Sequence, residues 1–382
     1  MVLVIYSLVL NHHQIGVADE LYKLLGGDFF FVETAECHDL KGGAIDYSER
    51  SYLIKAWKNH KDYSKAMNLA ETADVCVFSG YEALPFEKVR MQRNLLSFDM
   101  GERMLKRGWL NLLSPRIFKM IFYYHRYFWA KKPLYKLCCS SFAKSDQYKL
   151  LSFKNKCYKW GYFIPVSKNN ILEASDGKVR LMWCARFLKL KHPELVVKMA
   201  RTLKNKGYNF VIDIYGDEGN AAKSEEVFSR VELESMVKAL GVYDVISFHG
   251  NKPNKEILEA MKHHDIFLFT SDNREGWGAV VNEAMANGCA VVASDAIGST
   301  GYLVKEKVTG CAYVNLNIDS LTEKVIWMLD HPEELLNMRK NAYHQMINVW
   351  NPQNASKCLL ELIECLKNGK SSIIKDGPCS LA

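Results

Sequence analysis

The sequence predicts an α/β protein of two doubly wound domains, each built on a parallel sheet. Three observations lead there. Apolar runs of strand length pass through polar or glycine turns into amphipathic helical patterns, the alternation that winds a parallel sheet with right-handed crossovers. The alternation begins at the first residues and starts afresh after about residue 170. The chain of 382 residues also exceeds the size at which one hydrophobic core is usual.

Taken in order, "MVLVIYSLVL" at residues 1–10 is nearly continuous in apolar residues, as a strand buried on both faces should be. The polar turn "NHHQIG" follows, then the helical pattern "VADELYKLLGG", which glycines terminate. "DFFFVET" and "DVCVFSG" read as further buried strands, and "RNLLSFDMGE" as another ending in a polar turn. After the restart, "KVRLMWCARF" is a strand, "HPELVVKMARTLKNKG" a helix and "NFVIDIYGDEG" a strand with a glycine turn. "SEEVFSRVELESMVKALGV" is a helix, "VISFHG" a strand, "NKEILEAMKHH" a helix and "DIFLFTS" a strand. "REGWGAVVNEAMANGCAVVASDA" then supplies a glycine turn, a helix and one more strand.

The two series join at "GYFIPVSKNN", residues 161–170, where an aromatic run breaks at Pro165 and polar residues take over. We therefore expect a first domain over 1–168 and a second over 169–345. A helix within 346–370, around "NASKCLLELIECLKN", is expected to pack back toward the first domain, and 371–382 reads as a polar tail.

Composition narrows the classes. Apolar residues at 48% and aromatics at 12% supply packed cores and exclude a disordered chain. A formal charge of +7 is diffuse over this length, and neither zinc-finger spacing nor an RNA-binding aromatic motif accompanies it, so nucleic acid is not an expected partner. Eleven cysteines, odd in number and without Cys-x-x-Cys spacing, read as free, mostly buried thiols. The N-terminus has no basic n-region or cleavage site, and no apolar run approaches the roughly 18 residues that span a bilayer. The expected location is cytoplasmic.

Residues 103–136 differ from their surroundings, interleaving nine Lys/Arg with Trp, Tyr, Phe and Leu. Two readings stand. The stretch is an amphipathic surface lying on an anionic membrane, or it is ordinary helix with snorkelling cations around core anchors such as Trp109 and Trp129.

Open parallel sheets bind ligands beyond the carboxyl ends of their strands. In the second domain those ends carry Arg186 and Lys191 in "CARFLKLKHPE", Gly216 and Asp217 in "YGDEG", Gly250 and Asn251 in "HGNKP", and "SDNREGWG". Two cations, glycine turns and a helix start at Gly278-Ala279 suit a phosphate group. Glu275 and Glu283 lie eight positions apart, a helical rise of ~12 Å, about the reach of a nucleoside diphosphate carrying a sugar. Ionised carboxylates are acceptors that pair well with diols.

The segment "SDNREGWGAVVNEAMANGCAVVASDAIGSTGYLV" resembles the signature of retaining glycosyltransferases of the GT-B fold, in particular the large family GT4, with Glu275 and Glu283 at its E-x7-E motif. "ARFLKLK" looks like that family's phosphate-binding segment and "VTGCAYV" like one of its strands. The resemblance implies two Rossmann-like domains facing each other across a cleft that closes over the donor. It implies that Arg186 and Lys191 bind the donor diphosphate, that Glu275 holds hydroxyls of the donor sugar, and that Glu283 holds the nucleoside ribose. Gly276, Trp277, Gly278, Ala279, Val280, Gly216, Asp217, Gly250 and Asn251 complete the expected donor site, with Trp277 packing beside the donor. Ala185 and Cys289-Ala290 replace the family's usual glycine and proline, changes small enough to preserve geometry.

The first domain departs further, with "NHHQIG" in place of the family's glycine-rich loop. His12, His13 and Gln14 are pocket candidates by position, and Asp99, Glu102 and Arg103 in "SFDMGERM" stand where the family often has a histidine. "NHHQ" and "YKWGYF" resemble bacterial surface-polysaccharide enzymes, which implies a saccharide or lipid-linked acceptor. The implied reaction is hexosyl transfer from a nucleotide-diphosphate sugar, a UDP-sugar by family habit, with retention of configuration. The leaving diphosphate assists removal of the acceptor proton, and Arg186 and Lys191 serve in place of a metal, so no cofactor is expected. Two other readings are a non-catalytic nucleotide-sugar-binding subunit and an epimerase on the same two-domain plan. A Rossmann dehydrogenase is disfavoured, since no Gly-x-Gly-x-x-Gly follows the first strand.

Overall fold

Strand formation follows from burial on two faces. Leu3 to Ser7 are buried without interruption, as a central strand covered on both sides requires. The computed structural model describes residues 1–36, 47–106, 108–127, 129–166, 177–219 and 226–382. They divide into two compact units, Met1–Pro165 with Val349–Ala382, and Val166–Asn348. The expected boundary between residues 168 and 169 lies outside the described residues.

The first unit begins with Leu3–Ser7 (β1), Ile15–Leu25 (α1), Phe29–Glu33 (β2), Leu53–Lys55 (β3), His60–Thr72 (α2) and Val75–Ser79 (β4). Leu84–Gln92 (α3), Ser97–Gly101 (β5), Pro115–Arg126 (α4), Leu134–Cys138 (β6), Ala143–Lys149 (α5) and Cys157–Lys159 (β7) follow. All seven strands are parallel, in the order β3-β2-β1-β4-β5-β6-β7. Strand order reverses between β1 and β4, which makes their carboxyl ends the switch point of this sheet.

The second unit holds Val179–Cys184 (β8), Pro193–Asn205 (α6), Phe210–Tyr215 (β9), Arg230–Ala239 (α7), Ile246–Gly250 (β10), Asn254–Lys262 (α8) and Ile266–Phe269 (β11). Val280–Ala286 (α9), Ala290–Ser294 (β12), Thr300–Leu303 (α10), Gly310–Tyr313 (β13), Ile318–Asp330 (α11) and Pro332–Asn348 (α12) complete it. Its six strands are parallel in the order β10-β9-β8-β11-β12-β13, with the switch point between β8 and β11. Both expected doubly wound sheets are therefore present. The helix expected from residue 224 starts only at Arg230, because Ser229 and Glu232 form a capping box that sets the first turn; residues 224 and 225 lie outside the described residues.

Pro352–Lys367 (α13) belongs to the first unit and packs on α1. Gly16 makes this approach possible, since a Cβ there would stand 2.7 Å from the Pro352 ring. Residues 379–382, expected only as a polar tail, cover the edge of β7: Cys379 donates its N–H to Lys159 O at 2.7 Å, and Lys159 donates to Ser380 O at 2.8 Å. A paired edge no longer offers open N–H and C=O groups to other strands.

The aromatic-basic stretch splits in two. Tyr124 and Trp129 are buried in the first unit's core, and Tyr123 stacks on Trp129 with ring centroids 4.7 Å apart. Arg103 pairs with Asp146 at 3.3 Å and Lys136 with Asp99 at 2.8 Å, so neither is a surface cation. Trp109, Leu110, Leu113, Phe118, Phe122 and Tyr127 are exposed, Leu113 at 81%. Arg107 and Phe128 lie outside the described residues. Ten cysteines are described, all free thiols, and eight of them are buried. No helix among the described residues is long and apolar enough to cross a membrane.

Candidate active site

In the second unit the switch point is built by latching the turn after β8 onto the end of β11. Thr270, the residue after β11, accepts the Trp183 indole N–H at 2.8 Å and donates its hydroxyl to Lys191 O at 2.6 Å. Asp272 donates its N–H to Leu190 O at 2.9 Å. These bonds bring Lys191 and Glu275 together, and the Lys191 ammonium donates to the Glu275 carboxylate in a half-buried ion pair. The ammonium also lies 5.8 Å from the centre of the Phe269 ring. Gly278 has φ +80°, and a Cβ there would meet that ring at 2.3 Å, so only glycine fits this turn.

Asp272 anchors the rest of the loop. Its Oδ1 accepts the Arg274 N–H at 2.9 Å, its carboxylate pairs with the Arg274 guanidinium, and its carbonyl accepts the Glu275 N–H at 3.0 Å. Ionic and hydrogen-bonded partners outweigh burial and hold the Asp272 carboxyl well below the usual range. His192 lies between Asp272 and Glu194, with ring nitrogens 3.2 and 2.8 Å from their carboxylates.

Glu283 sits on α9, where Asn254 of α8 donates to its Oε1 at 3.2 Å. Burial raises its carboxyl above the ordinary range, with the Asn254 bond opposing. Glu283 and Lys191 share a neighbourhood at the end of β8. There the Cys184 thiol is pushed up to about 12, first by burial and then by the Glu283 charge, while Lys191 opposes. One expectation is corrected here: α9 begins at Val280, so the stretch between Glu275 and Glu283 is helical only from 280 onward, and a helical rise does not measure their separation.

The ends of β8, β9 and β10 meet backbone to backbone. Gly216 has φ +117°, a Cβ on it would lie 2.0 Å from Ala185 O, and its N–H donates to Gly250 O at 2.8 Å. Phe187 donates to Asp217 O at 2.8 Å. Arg186 is exposed beside this junction, its Cδ 3.6 Å from the place a Gly219 side chain would start. Asn251 is exposed just after β10. Gly276 is buried, while Ala279 and Val280 are half-buried at the start of α9. The Trp277 side chain is 1% exposed and donates to Asn282 Oδ1 at 2.8 Å, so its ring supports the loop from inside and offers no face to a donor. Sequence reasoning missed Thr270, Asp272 and Asn254, all of which flank the strand ends it did read.

The first unit carries a cavity of about 180 Å³ at the carboxyl ends of β1, β4, β5 and β6. His13, Gln14 and Glu102 line it. His13 stacks on Tyr162 at 5.1 Å, and Tyr162 donates its hydroxyl to Glu102 at 2.8 Å. Burial, assisted by His12, pushes the His13 imidazole down to about 4, so it is neutral at physiological pH. His13 Nδ1 and Gln14 Oε1 are buried polar atoms without a hydrogen-bond partner, an arrangement that a hydroxyl-bearing ligand would satisfy. Three candidates fall away. Asp99 is consumed by Lys136 and by the Tyr124 hydroxyl inside the core, Arg103 is held by Asp146 and by the Phe142 ring, and the exposed His12 ring does not line the cavity. Tyr162 was legible only as part of the "YKWGYF" run. Among the described residues no group of three or more His, Cys, Asp or Glu is placed to hold a metal ion.

Residues 167–345 match the family Glycosyl transferases group 1. A stretch of 118 residues is 32% identical to D-inositol 3-phosphate glycosyltransferase of Arthrobacter sp. (strain FB24), covering 31% of this chain. The chain matches only 27% of that relative's length. The architecture is that of GT-B glycosyltransferases. The structure of Anabaena Alr3699/HepE in complex with UDP superposes with a TM-score of 0.69 at 13% identity, over 95% of this chain and 100% of that one. The lipopolysaccharide outer core galactosyltransferase WaaB gives 0.67 at 12% identity, over 94% and 99%.

Proposed function

We propose, from the match of residues 167–345 to group 1 glycosyl transferases and from the geometry of their strand ends, that the chain transfers a sugar from a nucleotide-diphosphate sugar to an acceptor hydroxyl. The observation that carries the reading is the ion pair of Lys191 and Glu275 at the switch point of the second sheet, with Arg186 exposed just after β8. On this reading the diphosphate is held by Lys191 and Arg186, while the Glu275 and Glu283 carboxylates take hydroxyls of the donor. The donor is a UDP-sugar, in line with the UDP complex of the Anabaena protein. Glu283 and Asn254 take the ribose diol, and Glu275 the sugar hydroxyls.

Transfer proceeds with retention. Arg186 and Lys191 stabilise the departing diphosphate, and the diphosphate accepts the proton of the incoming hydroxyl, with the two cations carrying the charge that a metal would otherwise neutralise. His13, Gln14, Glu102 and Tyr162 receive the acceptor, a lipid-linked saccharide of a cell-surface polysaccharide pathway. The enzyme works in the cytoplasm at the inner face of the plasma membrane. It rests there on the exposed apolar residues of 109–127, flanked by Arg116, Lys119 and Arg126.

The decisive experiment is hydrolysis and transfer by the purified chain across a panel of nucleotide sugars, with Glu275→Ala and Lys191→Ala alongside. Turnover that needs both residues supports the site. Equal turnover in all three proteins sinks it, and tight UDP binding without turnover on any donor replaces the enzyme with a nucleotide-sugar-binding subunit.

A further inference from the structure

We infer that His192 is a positioning residue, locking the turn that carries Lys191 to the loop that carries Glu275. The role rests on the donor site proposed above and concerns a residue that this site otherwise leaves unused.

The backbone poses the first question. His192 sits at φ 51°, ψ 52°, a left-handed conformation that a Cβ disfavours and that glycine takes freely. It precedes α6, yet its side chain makes no capping bond to the helix. Capping therefore does not explain a histidine where glycine would be cheaper, and the imidazole must contribute something else.

Its contacts show what. Nδ1 stands 2.8 Å from Glu194 Oε1 and Nε2 3.2 Å from Asp272 Oδ2. Ionised carboxylates only accept, so both ring nitrogens carry protons and the ring is an imidazolium. It faces Glu194 from α6, and Asp272 with its partner Arg274 from the loop after β11; the Tyr313 hydroxyl of β13 is pushed up, first by burial and then by the charges of Asp295 and Glu194. Burial alone would lower its pKa, but the bonds to Asp272 and Glu194 win and raise it to about 9.

The position of Asp272 turns this clamp toward the donor site. Asp272 holds the Arg274 N–H, the Arg274 guanidinium and the Glu275 N–H, and so shapes the loop up to Glu275. On the other side, Leu190, Lys191 and His192 are consecutive. The two segments are thus tied at Leu190 to Asp272, Lys191 to Thr270, Lys191 to Glu275 and His192 to Asp272. Without the imidazolium, Asp272 and Glu194 would lose the cation between them, and the loop would lose a bond on the side facing Lys191.

The test uses the full chain with His192→Gly, His192→Asn and Lys191→Ala. Glycine keeps the backbone without strain and removes the ring, whereas asparagine tolerates the same backbone and keeps an N–H donor. We expect amide exchange over residues 272–278 to quicken by roughly 10-fold in the glycine variant. Its Tm should stay within roughly 3 °C of the parent, while its affinity for UDP, measured by calorimetry, falls by roughly 10-fold. Asparagine should recover part of both losses. Unchanged exchange over 272–278 in the glycine variant, or identical behaviour of glycine and asparagine, overturns the role. Should the glycine variant fail to fold, Asp272→Asn removes the other end of the clamp and must show the same faster exchange. Lys191→Ala binding UDP as the parent does would overturn the donor reading alone, because the exchange measurement needs no ligand.

Discussion

Lys191 and Glu275, 84 positions apart in the chain, form an ion pair at the switch point of the second sheet. The family resemblance assigns them to different parts of one donor, the ammonium to the diphosphate and the carboxylate to the sugar. The structure shows each satisfying the other. On the donor site proposed above, a diphosphate arriving at Lys191 competes with a carboxylate already in place, and that carboxylate repels it.

This competition sets the first prediction. Glu275→Gln removes the competing charge and leaves an amide that still reaches sugar hydroxyls. UDP should bind the variant more tightly, by roughly 3- to 10-fold, while sugar transfer slows by roughly 100-fold through weaker orientation of the sugar. Calorimetry with UDP and single-turnover kinetics with the preferred donor separate the two effects. Weaker UDP binding in Glu275→Gln would show that the pair supports the phosphate site rather than opposing it.

Glu283 leads to the second. Burial raises its carboxyl above the ordinary value, with the Asn254 bond acting against the shift. A carboxyl whose folded pKa is raised holds its proton in the folded state at a pH where the unfolded chain has released it. Its ionised form therefore costs stability at neutral pH, and the cost fades as pH falls through the raised value. Glu283→Gln should raise Tm at pH 7.5 by roughly 1–3 °C, a gain that shrinks on acidification. The same change should weaken UDP binding by roughly 10-fold through loss of a charged acceptor for the ribose diol. A variant that is less stable at pH 7.5 would mean that the carboxylate serves the fold.

These two glutamates show how far the sequence could be read. Strand runs, glycine turns and the E-x7-E spacing located the second sheet's edge, because burial on two faces leaves a continuous apolar run and the tight turns after the strands need glycine. What the sequence did not disclose was partnership. The link from Lys191 to Glu275 depends on the Thr270 hydroxyl and the Asp272 backbone, which look like ordinary loop chemistry until the chain is folded. Asp99 shows the opposite failure. The resemblance offered it as a pocket acid where the family often has a histidine, but an inward-facing position on β5 delivers it to Lys136 and Tyr124 instead. Alternation along a strand decides which face a side chain takes, and an uninterrupted apolar run hides that alternation.

His13 supplies a prediction with a definite pH window. Burial, then His12, pushes its imidazole down to about 4, against an ordinary value of 6.5. Below pH 6.5 the unfolded chain takes up a proton that the folded chain refuses until about pH 4, so stability drops as pH falls across that range. His13→Asn should flatten the decline between pH 7 and pH 5, as read by urea denaturation at both values. A variant whose decline is as steep as the parent's would place the acid sensitivity elsewhere, with His12, whose pKa burial also lowers, the next group to vary.

The last prediction concerns the split in the aromatic-basic stretch. Trp129 and Tyr124 are buried in the first unit's core, whereas Trp109, Leu110, Leu113 and Phe118 face outward next to Arg116 and Lys119. Moving a leucine or phenylalanine side chain from water into an apolar layer gains roughly 1.5–3 kcal/mol, and each cation near an anionic surface adds about 1 kcal/mol. Two exposed apolar residues replaced together should therefore cost at least roughly 100-fold in partitioning, as long as the fold survives. Leu113→Asp with Phe118→Asp should abolish pelleting with vesicles rich in phosphatidylglycerol and leave Tm unchanged, because neither side chain is in the core. Arg116→Ala with Lys119→Ala should weaken pelleting at low salt and matter little at high salt, where screening already removes the attraction. Equal pelleting of the parent with neutral and anionic vesicles would remove the cations from the account. Absence of pelleting with either, at low salt, would remove the membrane and leave this apolar face to a protein partner.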